Sequence, residues 1–254
     1  MTITYSQRHN HSEDDVGTIS TTLDGSWQAG DLCIALVAGM TTTTGTRTLT
    51  VNLPDVDTQQ DFGLIEYAPE WRVTARLAAK TLTADDLGDT ITATASDPFW
   101  VGYRSGEWAL MLTRIRDTAP LTIVASEAGG ADAAPGSGPV TVYGPVSATP
   151  AGATAVSMAV GVYSAGGMQM RPGYENGWTI ESSLSGQSSE WLGFSWGSAV
   201  KALPTAGDTS PMPGWRRTAT NDGYCAFTFV IAPLPSPSGW HIGSLRFGST
   251  GPGW

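Results

Sequence analysis

The sequence predicts an all-β protein: an antiparallel β-sandwich, jelly-roll-like, built from two weakly similar halves and carrying extended N- and C-terminal arms. Three observations lead there. Gly is abundant at 31 residues, Trp numbers ten, and only 14% of residues are charged. Thr and Ser fill polar positions where a helical protein places Glu, Lys and Gln, and Thr and Trp suit a pleated surface while Gly breaks helices. Apolar residues then recur with a period of two in segment after segment. Finally, the order of these segments repeats along the chain.

Residues 1–15 are polar and contain Glu13-Asp14-Asp15, and 1–16 read as an N-terminal arm that is flexible or orders on a partner. Alternation begins at Val16. The run DLCIALVAG (31–39), bounded by Gly30 and Gly39, reads as a strand buried on both faces. Leu49, Val51 and Leu53 alternate with Thr48, Thr50 and Asn52 until Pro54, giving a half-buried strand. Trp71, Val73, Ala75, Leu77 and Ala79 alternate with Arg72, Thr74, Arg76, Ala78 and Lys80. The Ala content of 71–88 is compatible with a helix, but the strict alternation favours a strand. Ile91, Ala93 and Ala95 alternate with threonines, and Trp108–Ile115 is nearly all apolar, as a central strand requires.

The segment SEAGGADAAPGSGP (126–139) reads as a low-complexity bridge between halves of about 17–125 and 139–233. Beyond it, GATAVSMAVGVYS (152–164) parallels GDLCIALVAG. Segments 178–184 and 191–196 parallel the Trp71 region, and 213–233 parallels 97–120. One sandwich over 17–233, with each half supplying strands to both sheets, accounts for this. Separate domains are the alternative. PLPSPSG (233–239) is a stiff linker, and 234–254 as a whole form a Pro-rich linker and docking tail too short for a core.

A net charge of −10 argues against nucleic-acid binding, since polyanions attract basic patches. No stretch reaches the roughly 18 apolar residues of a membrane helix. The start MTITYSQRHNHSEDD lacks the apolar centre of a signal peptide, so synthesis and folding in the cytoplasm are expected. Cys33 and Cys225 lie in apolar runs without metal-site spacing and read as buried thiols.

Recognisable chemistry is sparse. His9 and His11 fall in the N-terminal arm and His241 in the tail, which leaves the sandwich without a histidine for acid–base work. GVYSAGG around Ser164 lacks nucleophile-elbow spacing, and no glycine cluster has the form of a phosphate loop. Asp85, Asp86 and Asp89 loosely resemble a calcium loop without matching one. Glu66, Glu70, Asp97, Glu107, Glu181 and Glu190 lie near strand ends, where acids are commonly solvated turn residues. No catalytic residue, cofactor or metal is therefore expected. Many tryptophans follow a Gly or an acid at a turn (GSW, GEW, NGW, PGW, SGW), the position of a ring that plugs a sandwich end. Trp108, Trp191, Trp240 and Trp254 are the candidates for glycan or partner contact.

The order of GDLCIALVAG, a Thr-rich loop, Trp71-Arg72-Val73, GDTITATAS, WALMLTRIR and the late IGSLRFGST resembles β-sandwich domains of minor tail proteins and related virion proteins of actinobacterial phages. The resemblance covers most of residues 17–250. It implies a non-enzymatic structural component of a bacteriophage virion, at the tail tip or fibre, engaged in assembly and host-surface contact. Its partners would be other virion proteins, with a homo-oligomer or docking on a symmetric ring, and a host cell-wall glycan is a further candidate ligand. A capsid decoration protein is the alternative within the virion. A carbohydrate-binding module or glycoside hydrolase acting on host envelope polysaccharide is the alternative of another class. If 240–254 is a docking tail, deleting it abolishes incorporation into particles while leaving the circular dichroism of the purified chain unchanged. Normal incorporation of the truncated chain would remove the docking role.

Overall fold

The computed structural model describes residues 2–11, 18–41, 49–53, 58–67, 71–95, 107–131, 146–162, 169–170, 177–187, 193–210, 215–216 and 224–233. Fifteen strands account for about three quarters of them: β1 (Thr2–His11), β2 (Thr18–Thr22), β3 (Leu32–Thr41), β4 (Leu49–Val51), β5 (Thr58–Tyr67), β6 (Trp71–Thr81), β7 (Thr90–Ala95), β8 (Glu107–Arg116), β9 (Leu121–Ala131), β10 (Ala153–Val162), β11 (Gln169–Met170), β12 (Thr179–Gln187), β13 (Gly193–Leu203), β14 (Trp215–Arg216) and β15 (Tyr224–Pro233). The helical content of the described residues is a 3-10 turn at Ala84–Asp86. The protein is all-β, and its strand pairs are antiparallel.

Two five-stranded sheets dominate, one ordered β1-β8-β3-β6-β5 and the other β9-β15-β10-β13-β12. A three-stranded sheet, β2-β7-β4, and a two-stranded one, β11-β14, complete the set. Period-two alternation assigns the faces. On β3, Leu32, Ile34, Leu36 and Ala38 enter a core cluster with Leu77, Met111 and Ile115 of the same sheet and Val156, Met158, Val160, Trp196, Phe227 and Phe229 of the other. The alternate residues Cys33, Ala35 and Val37 join Leu110 and Leu112 in a second cluster with Ile19, Trp27, Val51, Ile91 and Ala93. Three β layers are thus stacked, with β3 in the middle one and all of Leu32–Ala38 buried. This is the both-faces burial expected of that run.

The outer face of the three-stranded sheet is polar. Ser20 bonds Thr92 at 2.9 Å and Thr22 bonds Thr90 at 3.2 Å, cross-strand hydroxyl pairs of the kind that stabilise a half-wet sheet.

Three features differ from expectation. Residues 2–11, read as part of a free arm, are strand β1, in unbroken register with β8 from Thr2↔Arg116 to His11↔Glu107. His9 and His11 consequently lie on a sheet and not outside it. An edge strand needs ladder partners on one side only, so it can be polar and leave little trace in hydropathy. Second, the start of the 126–139 bridge belongs to β9, which pairs with β15 along Tyr224↔Ala131 to Pro233↔Leu121. Gly129 and Gly130 hide the strand in the sequence, yet the ladder uses backbone that glycine supplies as well as any residue. Third, each five-stranded sheet draws on one end of the chain, β1–β8 or β9–β15, whereas a contribution from each half to both sheets was expected. The change of sheet falls at residues 117–120, between β8 and β9. Gly30 lies against this link with φ +91°, and a Cβ there would come within 3.5 Å of the Pro120 ring.

Leu36 is fully buried between sheets, while Leu87 is 39% exposed. Leu36→Ala is expected to lower unfolding free energy by about 2–5 kcal/mol. Leu87→Ala should stay within about 0.5 kcal/mol of the parent in the same urea titration.

Candidate functional site

The densest polar cluster forms where β8 ends beside the turn that leads into β3. Asp24 sets the turn: its carboxylate accepts the Ser26 N–H at 2.9 Å and its carbonyl accepts the Trp27 N–H at 3.0 Å. The bonds from Ser26 hold the Asp24 carboxyl below its ordinary value. Asp31, 2% exposed, accepts the Gln28 N–H at 2.9 Å and a fork from Arg116, whose Nε and Nη2 each donate at 2.6 Å. Arg116 Nη2 also donates to the Ser26 carbonyl at 2.9 Å, and Arg114 Nη1 donates to the same oxygen. The two-residue period of β8 places both arginines on the face of Leu110 and Leu112. The Arg114 guanidinium sits 5.7 Å from the Trp27 ring centroid, a cation–π distance. Trp27 is 8% exposed and covered on one face by this cation, so it cannot stack on a sugar ring.

A related arrangement stands in the second half. Trp178, buried after the turn glycine Gly177 (φ +82°), lies 6.0 Å from Lys201 Nζ. Lys201 donates to the carbonyls of Thr209 at 3.2 Å and Ser210 at 2.7 Å. Burial pushes the Lys201 ammonium below its ordinary value, and the Asp208 charge opposes that shift. In both halves a tryptophan closes a turn and a cation from a neighbouring strand pins it. These are end plugs, the role the GSW and NGW spacings suggested.

The acidic segment TADDLGD proves to be another fastener. Asp86 Oδ1 accepts Lys80 Nζ at 2.6 Å, and Asp86 Oδ2 accepts the Thr83 N–H and hydroxyl at 2.7 Å each. Asp85 and Asp89 are exposed. Among the described residues no group of three or more His, Cys, Asp or Glu is placed to hold a metal ion. Cys33 is a free, buried thiol, pushed up to about 12 by desolvation and then by the charges of Asp31 and Asp86, and so is unreactive at neutral pH.

Of the residues singled out from sequence, Trp108 is the second residue of β8, in register with Asn10 of β1 and Gly39 of β3. Trp191, Trp240 and Trp254 lie outside the described residues, as do Glu70, Asp97 and Glu190. Glu107 opens β8 opposite His11, Glu66 lies on β5 opposite Arg72, and Glu181 falls in a register shift of β12. Strands β3 and β6 separate β8 from β5. At about 4.8 Å per strand spacing, the backbones at Glu66 and Glu107 are about 14 Å apart.

Sequence reasoning missed the Asp31–Arg116 fork and the Lys201–Trp178 pair. The signal for the first was present: two arginines two residues apart at the end of an apolar strand have to meet acceptors, and Gly-Asp at a strand entry supplies one. No protein-family model, no curated protein and no solved structure matches the chain.

Desolvation alone would raise the Asp86 carboxyl, but the bonds from Lys80 and Thr83 outweigh it, and the net shift is downward from 3.8. A depressed folded-state value contributes stability above the unfolded value that is lost as pH falls through the folded one. The urea midpoint should therefore decline below about pH 4. Asp86→Asn should lower unfolding free energy by about 1–3 kcal/mol at pH 7 and flatten this acid decline. An unchanged acid limb would remove Asp86 as its source.

Proposed function

We propose that this chain is a non-enzymatic structural component of a bacteriophage particle, a minor tail protein at the tail tip or fibre. One observation carries the reading: the interleaving of early and late strands in each half. In the first half β1, β8, β3 and β6 share one sheet, while β2, β7 and β4 share the other. This interleaving supports a jelly-roll reading, with β5 added at the edge of the larger sheet. In the second half β9, β15, β10 and β13 repeat the first set. The Thr149↔Gly207 bridge and the β11–β14 pair stand where the smaller sheet would lie. On this reading the chain is a duplicated jelly roll, its two large sheets packed together.

Jelly rolls recur in viral capsid and lectin domains. The step from this fold to a virion is by analogy, and it agrees with the resemblance carried by GDLCIALVAG, WALMLTRIR and IGSLRFGST. The described chemistry suits the role. Asp31, Asp86, Arg114, Arg116 and Lys201 fasten turns to strands, which makes a rigid spacer or receptor-facing module.

The test is immunogold labelling of purified phage with an antibody raised against residues 17–233. Gold at the tail end is the expected result. Gold over the head would replace the tail assignment with capsid decoration. Unlabelled particles would overturn the virion reading and favour the glycan-binding alternative, for which loss of glycan-array signal in a folded Trp108→Ala chain is the direct assay.

A further inference from the structure

The two five-stranded sheets end in four edge strands: β1 and β5 in one, β9 and β12 in the other. An edge exposes a row of unpaired N–H and C=O groups, and proteins guard against pairing there with bulges, charges or cover. Three of these edges are guarded. The β5 register breaks between Phe62 and Ile65, that of β9 where it meets Val230 and Ile231, and that of β12 between Ile180 and Ser182. All three also carry acids: Asp61 and Glu66 on β5, Glu127 on β9, and Glu181 on β12. In addition, β5 and β9 run close to one another.

Strand β1 has neither a register shift nor an acid, and Arg8 is its one permanently charged side chain. Its ten residues, TITYSQRHNH, follow β8 without a register shift and include no acid, proline or glycine. We infer that β1 is a self-pairing edge, through which two copies of the chain join antiparallel about a two-fold axis and merge their sheets into one of ten strands. The charge balance selects a second copy as the occupant. Two chains of net charge −10 repel each other, so a contact between them forms where acids are missing, and among the four edges β1 is that place. The strand is also self-complementary. A two-fold contact requires paired residue numbers to have a constant sum. That sum is even, because the axis keeps each side chain on its face and directly opposite residues share a face. With the axis through Ser6, residues 2–10 pair, and Arg8 and His9 fall opposite Thr4 and Ile3. With the axis through Gln7, residues 3–11 pair, Arg8 falls opposite Ser6, and His9 and His11 fall opposite Tyr5 and Ile3. No two cationic residues meet in either register, and about eight to ten main-chain hydrogen bonds form.

This names a surface for the self-association expected of a virion component. Mass in solution and location on a particle are separate readouts, so either reading can fail without the other. Light scattering on the full chain should give twice the 26.6 kDa of one copy. Ser6→Lys with Gln7→Lys places like charges across the axis in either register. That variant should halve the mass with unchanged circular dichroism, and Ser6→Glu with Gln7→Glu should do the same. Mixing the two variants should restore the doubled mass. A monomeric parent chain, doubled mass in either variant alone, or no recovery on mixing would each overturn the proposal. Should a variant fail to fold, amide exchange on the parent chain decides. Protection at consecutive amides along β1 supports the pairing, whereas protection at alternate amides, the pattern of a free edge, refutes it.

Discussion

Strand β3 sets the terms for the rest of the molecule. Every side chain from Leu32 to Ala38 is buried, alternately against one neighbouring sheet and the other. A strand in that position has no water on either face, so its backbone groups must be satisfied within the sheet. It therefore needs a full-length partner on each side, and β6 and β8 supply them over most of its length. It also needs a layer above and a layer below. The same demand recurs at β10, where Ala155–Val160 are buried and β13 and β15 flank the strand. The small residues on one face of β10, Ala155, Ser157 and Ala159, allow a close approach there. The larger Val156, Met158 and Val160 fill the space between the two large sheets.

With the middle of the stack so apolar, most of the described charges lie toward its ends, Arg76 of β6 being the buried exception. The pairs Lys80–Asp86 and Arg116–Asp31 each tie a turn to a strand. Their value is not that of surface pairs, which contribute about 0–1 kcal/mol. Asp31 and Asp86 are nearly inaccessible, so removing a partner leaves a buried carboxylate short of hydrogen bonds. Fixing the turns holds the strand ends, and with them the register on which the two-faced burial of β3 depends.

The central strands were legible because burial writes itself into composition. The runs 31–39, 71–80, 108–115 and 152–164 correspond to β3, β6, β8 and β10. The edge strands β1 and β9 were not, because an edge is held by backbone and by one neighbour, and neither Thr-Ile-Thr-Tyr nor Glu-Ala-Gly-Gly declares a face. The same asymmetry governs the tryptophans. A ring such as Trp27 or Trp178 beside a turn glycine reads as a plug, but the cation that pins it comes from a distant strand and is invisible to local pattern. Likewise the acids of TADDLGD look like ligands until Lys80, six residues before Asp86, is seen to reach back to it.

The change of sheet at residues 117–120 orders events during synthesis. All the strands of the first large sheet and of its three-stranded companion are contained in residues 2–116. Their hydrogen-bond ladders can close before β9 has left the ribosome. The outward face of that early product, lined by Ile34, Leu36, Leu77 and Met111, then stays open to solvent until the second sheet arrives. Nascent chains in this state present an apolar surface and the β1 edge together, the combination that draws chaperones or neighbouring nascent chains.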